Sequence, residues 1–239
     1  MCTLVLAAGI VPEHPLVVVA NRDEQLDRAS APPSWWHGFF APKDLVAGGT
    51  WLGLNTHGLF VAITNRFLGP RDPTRTSRGK LVVDALGCRT AREVHERMQT
   101  IDPAEYNGFH LVYADGKDVL ATTGDGSFLA QLTLGRGLTV VTERSFGAAD
   151  AYPRLRRINA AWQSLAAPPF DPIRMTKLLT EHDPDDLLGS TCIHVPHLDY
   201  GTRSAFVLAL RADAEKTAFW ADGPPCTTPF SALDLAKTS

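Results

Sequence analysis

The chain is short of everything that would mark a membrane protein, a nucleic-acid binder or a disulfide scaffold. No stretch approaches the roughly 18–20 uninterrupted apolar residues of a membrane span. The nearest, Cys2 to Ala20, is broken by Pro12, Glu13, His14 and Pro15. Positive charge is not in excess: 23 Lys and Arg stand against 26 Asp and Glu, for a net charge of -3. That leaves no broad field for a phosphate backbone, so a dedicated DNA or RNA binder is not expected. The 4 cysteines, Cys2, Cys88, Cys192 and Cys226, are widely spaced. They form no Cys-x-x-Cys pair of a zinc site and lack the density of a disulfide framework. Dinucleotide and nucleotide-phosphate glycine loops are missing, as is a His-Glu-x-x-His metal motif, so neither a cofactor nor a metal is expected. A secretory leader carries basic residues ahead of its apolar core, whereas the first arginine here is Arg22. That order predicts a cytoplasmic location.

What is present is an ordinary globular composition, 44% apolar and 21% charged over 239 residues. Without repeats or a linker, a single domain over 1–239 is expected. Val- and Leu-rich runs at Cys2–Ala8 and Leu16–Ala20 predict a first hairpin. Trp51–Leu54 and Leu59–Thr64, flanking Asn55-Thr56-His57-Gly58, predict a second. Arg28–Asp44, rich in proline, reads as an ordered loop. Helices are predicted over Gly79–Leu86 and Thr90–Gln99, the latter opened by a Thr90/Glu93 capping box. A four-stranded meander follows in Phe109–Ala114, Val119–Thr123, Phe128–Leu132 and Leu138–Thr142. Helices over Pro153–Leu165 and Pro172–Glu181 and strands over Ser204–Arg211 and Thr217–Ala221 complete the pattern. Blocks of strands and helices predict an α+β layered fold with antiparallel sheets covered by helices.

The chemistry worth pursuing lies at the start of the chain. Removal of an initiator methionine requires a small second residue, so Cys2 can become the first residue, with a free α-amine beside its thiol. Such an amine can serve as base for its own side chain. An α-amine titrates at about 7.7–8.0 and a thiol at about 8.5, so both are partly deprotonated near neutrality. The bland alternative is a small buried hydrophobe at a strand start. Asn21-Arg22-Asp23-Glu24 ends the strand that would pair with the one carrying Cys2. There Arg22 would lower the thiol pKa and Asp23 would orient the amine, or the cluster is simply a solvated strand end. Asn65, ending a strand, offers amide donors of the kind an oxyanion hole uses, and equally suits a turn. Arg203, in Tyr200-Gly201-Thr202-Arg203-Ser204, is placed to meet an anion or Asp23 by a forked contact.

These segments together carry a resemblance. Met1-Cys2, Asn21-Arg22-Asp23-Glu24, Gly48-Gly49-Thr50-Trp51-Leu52-Gly53, Gly58-Leu59, Thr64-Asn65, Ser77-Arg78-Gly79 and Tyr200-Gly201-Thr202-Arg203-Ser204, in this order, resemble the NRDE family, also called the transport and Golgi organization 2 family. That family is similar to N-terminal nucleophile (Ntn) hydrolases of the penicillin V acylase and bile salt hydrolase type. The resemblance implies a four-layer αββα sandwich, Cys2 as nucleophile, and Arg22 and Asp23 beside it. It also implies Asn65 as an oxyanion-hole contact and Arg203 as a late arginine of the site. One departure stands out: Thr142-Glu143 and Tyr152-Pro153-Arg154 replace the Ser-Asn and Trp-Pro-Lys segments of many members. An ionised Glu143 in place of asparagine would repel a developing oxyanion.

For the substrate, Arg66 and Arg78 belong to a basic segment after Asn65 that reads as a lid over an anionic acyl group or as a solvated loop. Trp35 and Trp36, with Phe39 and Phe40, read as a pocket wall or as core closure. The leading expectation is a cysteine hydrolase cleaving an amide or thioester of a small acyl molecule. The alternative is a non-catalytic carrier of haem or acyl-coenzyme A. For haem, His57, His110, His194 and His197 are the candidate ligands, none in a Cys-x-x-Cys-His context.

Overall fold

A computed structural model describes residues 2–146, 152–187 and 189–236. The chain begins with strands β1 (Thr3–Val11), β2 (His14–Gln25), β3 (Ser30–Trp36), β4 (Phe39–Asp44), β5 (Leu52–Asn55) and β6 (Phe60–Asn65). Helices α1 (Gly79–Leu86) and α2 (Ala91–Met98) lead to β7 (Phe109–Ala114), β8 (Val119–Gly124), β9 (Leu129–Thr133) and β10 (Gly137–Val141). Helix α3 (Pro153–Leu165) and a 3-10 helix, Pro172–Leu179, precede β11 (His194–Val195), β12 (Tyr200–Leu210), β13 (Lys216–Ala221) and β14 (Ser231–Ala232). The class is α+β, as expected. The strands form two antiparallel sheets, ordered β10-β1-β2-β12-β13-β14 with β11 on β12, and β3 through β9 in sequence.

The chain divides into two compact units. The first comprises, among the described residues, 2–27, 137–141, 145–146, 152–187 and 189–236. On one face of its sheet Val5, Ala7, Val17, Val19, Val207 and Ala209 pack against Leu155, Ile158 and Trp162 of α3 and Met175, Leu178 and Leu179 of the 3-10 helix. Residues of the opposite parity, Leu4, Leu6, Val18, Ala20, Phe206 and Leu208, are buried as well. Burial of both faces explains why β1 and β2 read as continuous apolar runs rather than alternating ones.

The second unit holds residues 28–136 and 142–144. Here Val61, Ile63, Leu111 and Tyr113 pack beneath Leu81, Val82 and Leu86 of α1 and Val94 and Met98 of α2. Thr90 caps α2 by accepting from the Glu93 N–H at 3.2 Å, while Glu93 reaches back to the Arg89 N–H at 2.7 Å. The β5–β6 turn is the expected one, with Gly58 at φ +83°.

Three expectations need correction. Arg28–Asp44 is not a loop: it contains β3 and β4, and Pro32 and Pro33 fall where the register jumps between Ala31 and Ser34. β3 ends the sheet, and an edge strand with a bulge tolerates the missing proline N–H groups. The meander stops at β9, because β10 leaves it to pair with β1 in the other sheet. The segment from Pro172 is a 3-10 helix ending at Leu179 rather than an α-helix to Glu181.

Candidate functional site

Cys2 directly precedes β1. The β1–β2 register pairs Thr3 with Asn21, so by extension Cys2 lies opposite Arg22. On the other side of β2, β12 pairs Thr202 with Asp23 and Ser204 with Arg22. The extra residue between those pairs is Arg203, so it occupies a bulge, the irregularity that re-aims a side chain at a strand end. The sheet therefore gathers Cys2, Arg22, Asp23 and Arg203 at one end of three adjacent strands.

The contacts there differ in detail from expectation. The Asp23 carboxylate accepts a 2.6 Å hydrogen bond from the Thr202 hydroxyl. Thr202 Oγ1 also accepts from the Ile193 N–H at 2.8 Å. Thr202 thus makes the contact to Asp23 that was expected of Arg203. Among the described residues, Arg203 Nε is buried without a hydrogen-bond partner. The Asp23 carbonyl accepts from Tyr200 Oη at 3.0 Å and faces Cys2 Sγ at 4.0 Å, so Asp23 approaches the sulfur through its backbone. Arg22 Nη2 lies 3.9 Å from Glu24 Oε2.

Three side chains that sequence reasoning assigned no role complete the surroundings. Arg154, on α3, donates to Thr3 Oγ1 at 3.1 Å. Asn21 donates to the carbonyls of Leu179 and Thr191 at 3.1 and 2.6 Å, pinning β2 to the helical layer. Thr202 sits in the Tyr200–Ser204 segment beside Arg203; its hydroxyl role depends on strand register, which no local pattern reveals.

Burial pushes the Cys2 thiol above its ordinary range, the charge of Asp23 adds to the rise, and Arg22 pulls it back. Because the charged form is penalised, the thiol at rest keeps its proton, and attack on a carbonyl calls for a base.

The remaining candidates lie in the second unit. Asn65 ends β6 and is exposed, paired in register with Phe109. Two of the basic residues converge on Gly108: its carbonyl accepts from the Arg66 N–H and from Arg78 Nη1, each at 2.9 Å. Trp36 packs on the helix-facing core with Phe39, and its Nε1 donates to the Ala41 carbonyl at 2.9 Å. That is the core-closing alternative. Trp35 meets Phe40 edge-on, ring centroids 5.8 Å apart. Glu143 is buried, with Oε1 3.6 Å from Arg144 Nε, and its carbonyl accepts from the Phe67 N–H at 2.8 Å. Of the histidines, His110 is buried with Nδ1 2.9 Å from Thr123 Oγ1, while His57 and His197 are exposed.

Two of the signature motifs turn out to be one structural joint. A Cβ on Gly49 would stand 2.7 Å from the Gly79 carbonyl carbon, and one on Gly79 would stand 3.0 Å from the Thr50 oxygen. The Gly-Gly-Thr and Arg-Gly segments are glycine-bearing because two backbones cross in contact. Gly201 plays the same part in the first unit, where a Cβ would lie 2.8 Å from the Ile193 oxygen.

Comparison with known proteins bears on the family and the fold. Two curated relatives are the Transport and Golgi organization 2 homolog of Mus musculus and the Transport and Golgi organization protein 2 homolog of Homo sapiens. They are 35% and 32% identical over 107 and 106 residues, 42% of this chain and 38% of each relative. The chain thus spans well under half the length of the curated relatives it matches. Among solved structures, the Caenorhabditis elegans N-acylethanolamine-hydrolyzing acid amidase ortholog superposes with TM-score 0.62 at 13% identity, covering 98% of this chain and 100% of the other. The C2A variant of conjugated bile acid hydrolase from Clostridium perfringens superposes with TM-score 0.56 at 9% identity, covering 100% and 98%. At these identities the likeness establishes the fold, the αββα class of Ntn hydrolases. Residues 1–220 match the family described as Transport and Golgi organisation 2, and the chain belongs to that family.

Proposed function

We propose that the chain is an N-terminal cysteine hydrolase acting on the amide or thioester bond of a small acyl molecule. The observation that carries this reading is the position of Cys2, buried at the end of β1 beside Arg22 and the Thr202-held Asp23. The named activities of the two solved neighbours, an amidase and a bile acid hydrolase, favour the same reaction class. Met1 lies outside the described residues, and its removal is part of the proposal.

With Met1 gone, the α-amine of Cys2 takes the thiol proton and the sulfur attacks the acyl carbonyl. The resulting ammonium returns the proton to the leaving amine or thiol, and an acyl-thioester remains on Cys2. Water, deprotonated by the same amine, then releases the carboxylic acid and restores the thiol. A thiol buried in this way gives up its proton when a base is at hand. Asp23 positions the amine and Arg22 offsets negative charge as the thiolate forms.

The test is intact-protein mass spectrometry of untagged chain with a thiol-directed electrophile, followed by assays on N-acyl amides and acyl thioesters. The expected result is loss of methionine, labelling of Cys2 faster than in a chain retaining Met1, and turnover abolished in Cys2→Ala. A mature chain that keeps Met1, or turnover that survives Cys2→Ala, refutes the proposal.

A further inference from the structure

Cysteine spacing along the chain excludes the usual zinc motifs, yet folding assembles a compact soft-ligand cluster in the first unit. Cys192 precedes β11, His194 belongs to it, and Cys226 lies in the turn region beyond β13. Their ligand atoms all fall within 4.8 Å of one another. His194 Nε2 is 3.4 Å from Cys192 Sγ and 3.1 Å from Cys226 Sγ. Cys192 is fully buried, and the other two are half-buried. His182 packs edge-on against His194 with ring centroids 4.4 Å apart, and its Nδ1 lies 3.3 Å from the Cys192 carbonyl.

We propose that Cys192, His194 and Cys226 form a metal site for zinc or a similar borderline-soft divalent cation. Tetrahedral zinc binds sulfur at about 2.3 Å and imidazole nitrogen at about 2.0–2.1 Å, which sets adjacent sulfur and nitrogen ligands roughly 3.6 Å apart. The observed 3.4 and 3.1 Å are a few tenths of an ångström from that spacing. Two thiolates and a neutral imidazole exactly balance a divalent charge, so the filled site is neutral and suits partial burial. The two thiol protons leave to solvent on binding. Three protein ligands leave a fourth position open, the arrangement of a site that holds water or another exchangeable ligand.

The site is joined to the strand ends that carry Cys2. Thr202, whose hydroxyl donates to Asp23, accepts from the N–H of Ile193, the residue between Cys192 and His194. A cation held by Cys192 and His194 would fix that segment, and with it the hydrogen bond that orients Asp23. The metal site itself does not depend on the hydrolase proposal.

The reduced, chelator-treated full chain is titrated with Co(II) and then with Zn(II). The expected result is one equivalent of cobalt with a thiolate-to-metal charge-transfer band, displaced by zinc. Zinc should shield Cys192 and Cys226, but not Cys88, from alkylation. His194→Ala and Cys226→Ser, both at half-buried positions, should each weaken binding by roughly 100-fold or more, with folding checked by circular dichroism. Cys2→Ala should bind as the parent does, which separates this outcome from failure of the hydrolase. The proposal is overturned if folded parent chain shows no thiolate–cobalt band, or if the band survives both ligand variants or disappears with Cys2→Ala. Reoxidation to a Cys192–Cys226 disulfide without metal uptake also overturns it and makes the pair a redox couple.

Discussion

His110 on β7 makes an acid-labile point in the second unit. Burial, and after it the Arg66 cation, lower its pKa from 6.5 to about 4. Between those values the unfolded chain binds a proton that the folded chain does not. Stability is therefore full above about pH 6.5 and is lost as the pH falls toward 4. At about 1.36 kcal/mol per pH unit the complete loss is roughly 3 kcal/mol, of which about 2 kcal/mol has gone by pH 5. Urea unfolding at pH 7 and pH 5 measures this, with His110→Gln as the reference that carries every other titrating group unchanged. The parent should lose about 2 kcal/mol more than the variant between the two pH values. Arg66→Met should shrink the parent's loss, because it removes the second cause of the lowered pKa. Equal losses in parent and His110→Gln would refute the argument and place the imidazole in contact with water.

Neighbouring glycines should fail for different reasons. Gly49→Ala, whose Cβ meets backbone at 2.7 Å, should cost about 1–3 kcal/mol by overpacking. Gly48→Ala, at φ +73° with open space around it, should cost about 1 kcal/mol, and Gly48→Asn less, since asparagine tolerates that conformation. Thermal or urea unfolding distinguishes them. Thr202→Val leaves Asp23 and the Ile193 N–H without the hydroxyl and should cost roughly 2–3 kcal/mol, whereas Thr202→Ser should restore most of it. In a chain retaining Met1, Cys2 should alkylate more slowly than a free thiol at pH 7, its rise in rate with pH displaced upward from that of a free thiol, and Arg22→Met should slow it further. A Cys2 that labels as fast as a free thiol at pH 7 contradicts the burial effect.

Local chemistry in the sequence was a good guide wherever a structure is made by neighbouring residues. The Asn55–Gly58 turn and the Thr90 cap follow from side chains within a few positions of the backbone they satisfy. Pairing partners were not legible in the same way. Val140 and Val141 mark β10 as a strand, but nothing within it says that Val5 and Leu4, rather than β9, will lie beside it. Pro32 and Pro33 argued against a strand, and that inference holds only for interior strands with both edges bonded. At the site, the motif residues Arg22, Asp23 and Arg203 were visible as charges at predicted strand ends. Thr202 was not, because its importance comes from facing Asp23 across β2 and β12.

The same distinction explains how the two proposed sites can share one unit with only one of them announced by a motif. Cys2 and Asp23 are brought together by a hairpin close in sequence, and the residues around each are recognisable as a set. Cys192 and Cys226 are brought together by β12 and β13, which run out and back so that the chain returns to the strand end from which it left. The number of residues in such an excursion is set by strand length and turns, not by coordination geometry, so no ligand-spacing rule finds it. Thr202 begins that excursion and also holds Asp23. If the cluster binds a cation, its effect on Cys2 should therefore pass through this one hydroxyl. Zinc should slow or hasten Cys2 alkylation in the parent and in Thr202→Ser, and leave it unchanged in Thr202→Val. An equal response in Thr202→Val would show that the two sites are energetically independent despite their shared strand.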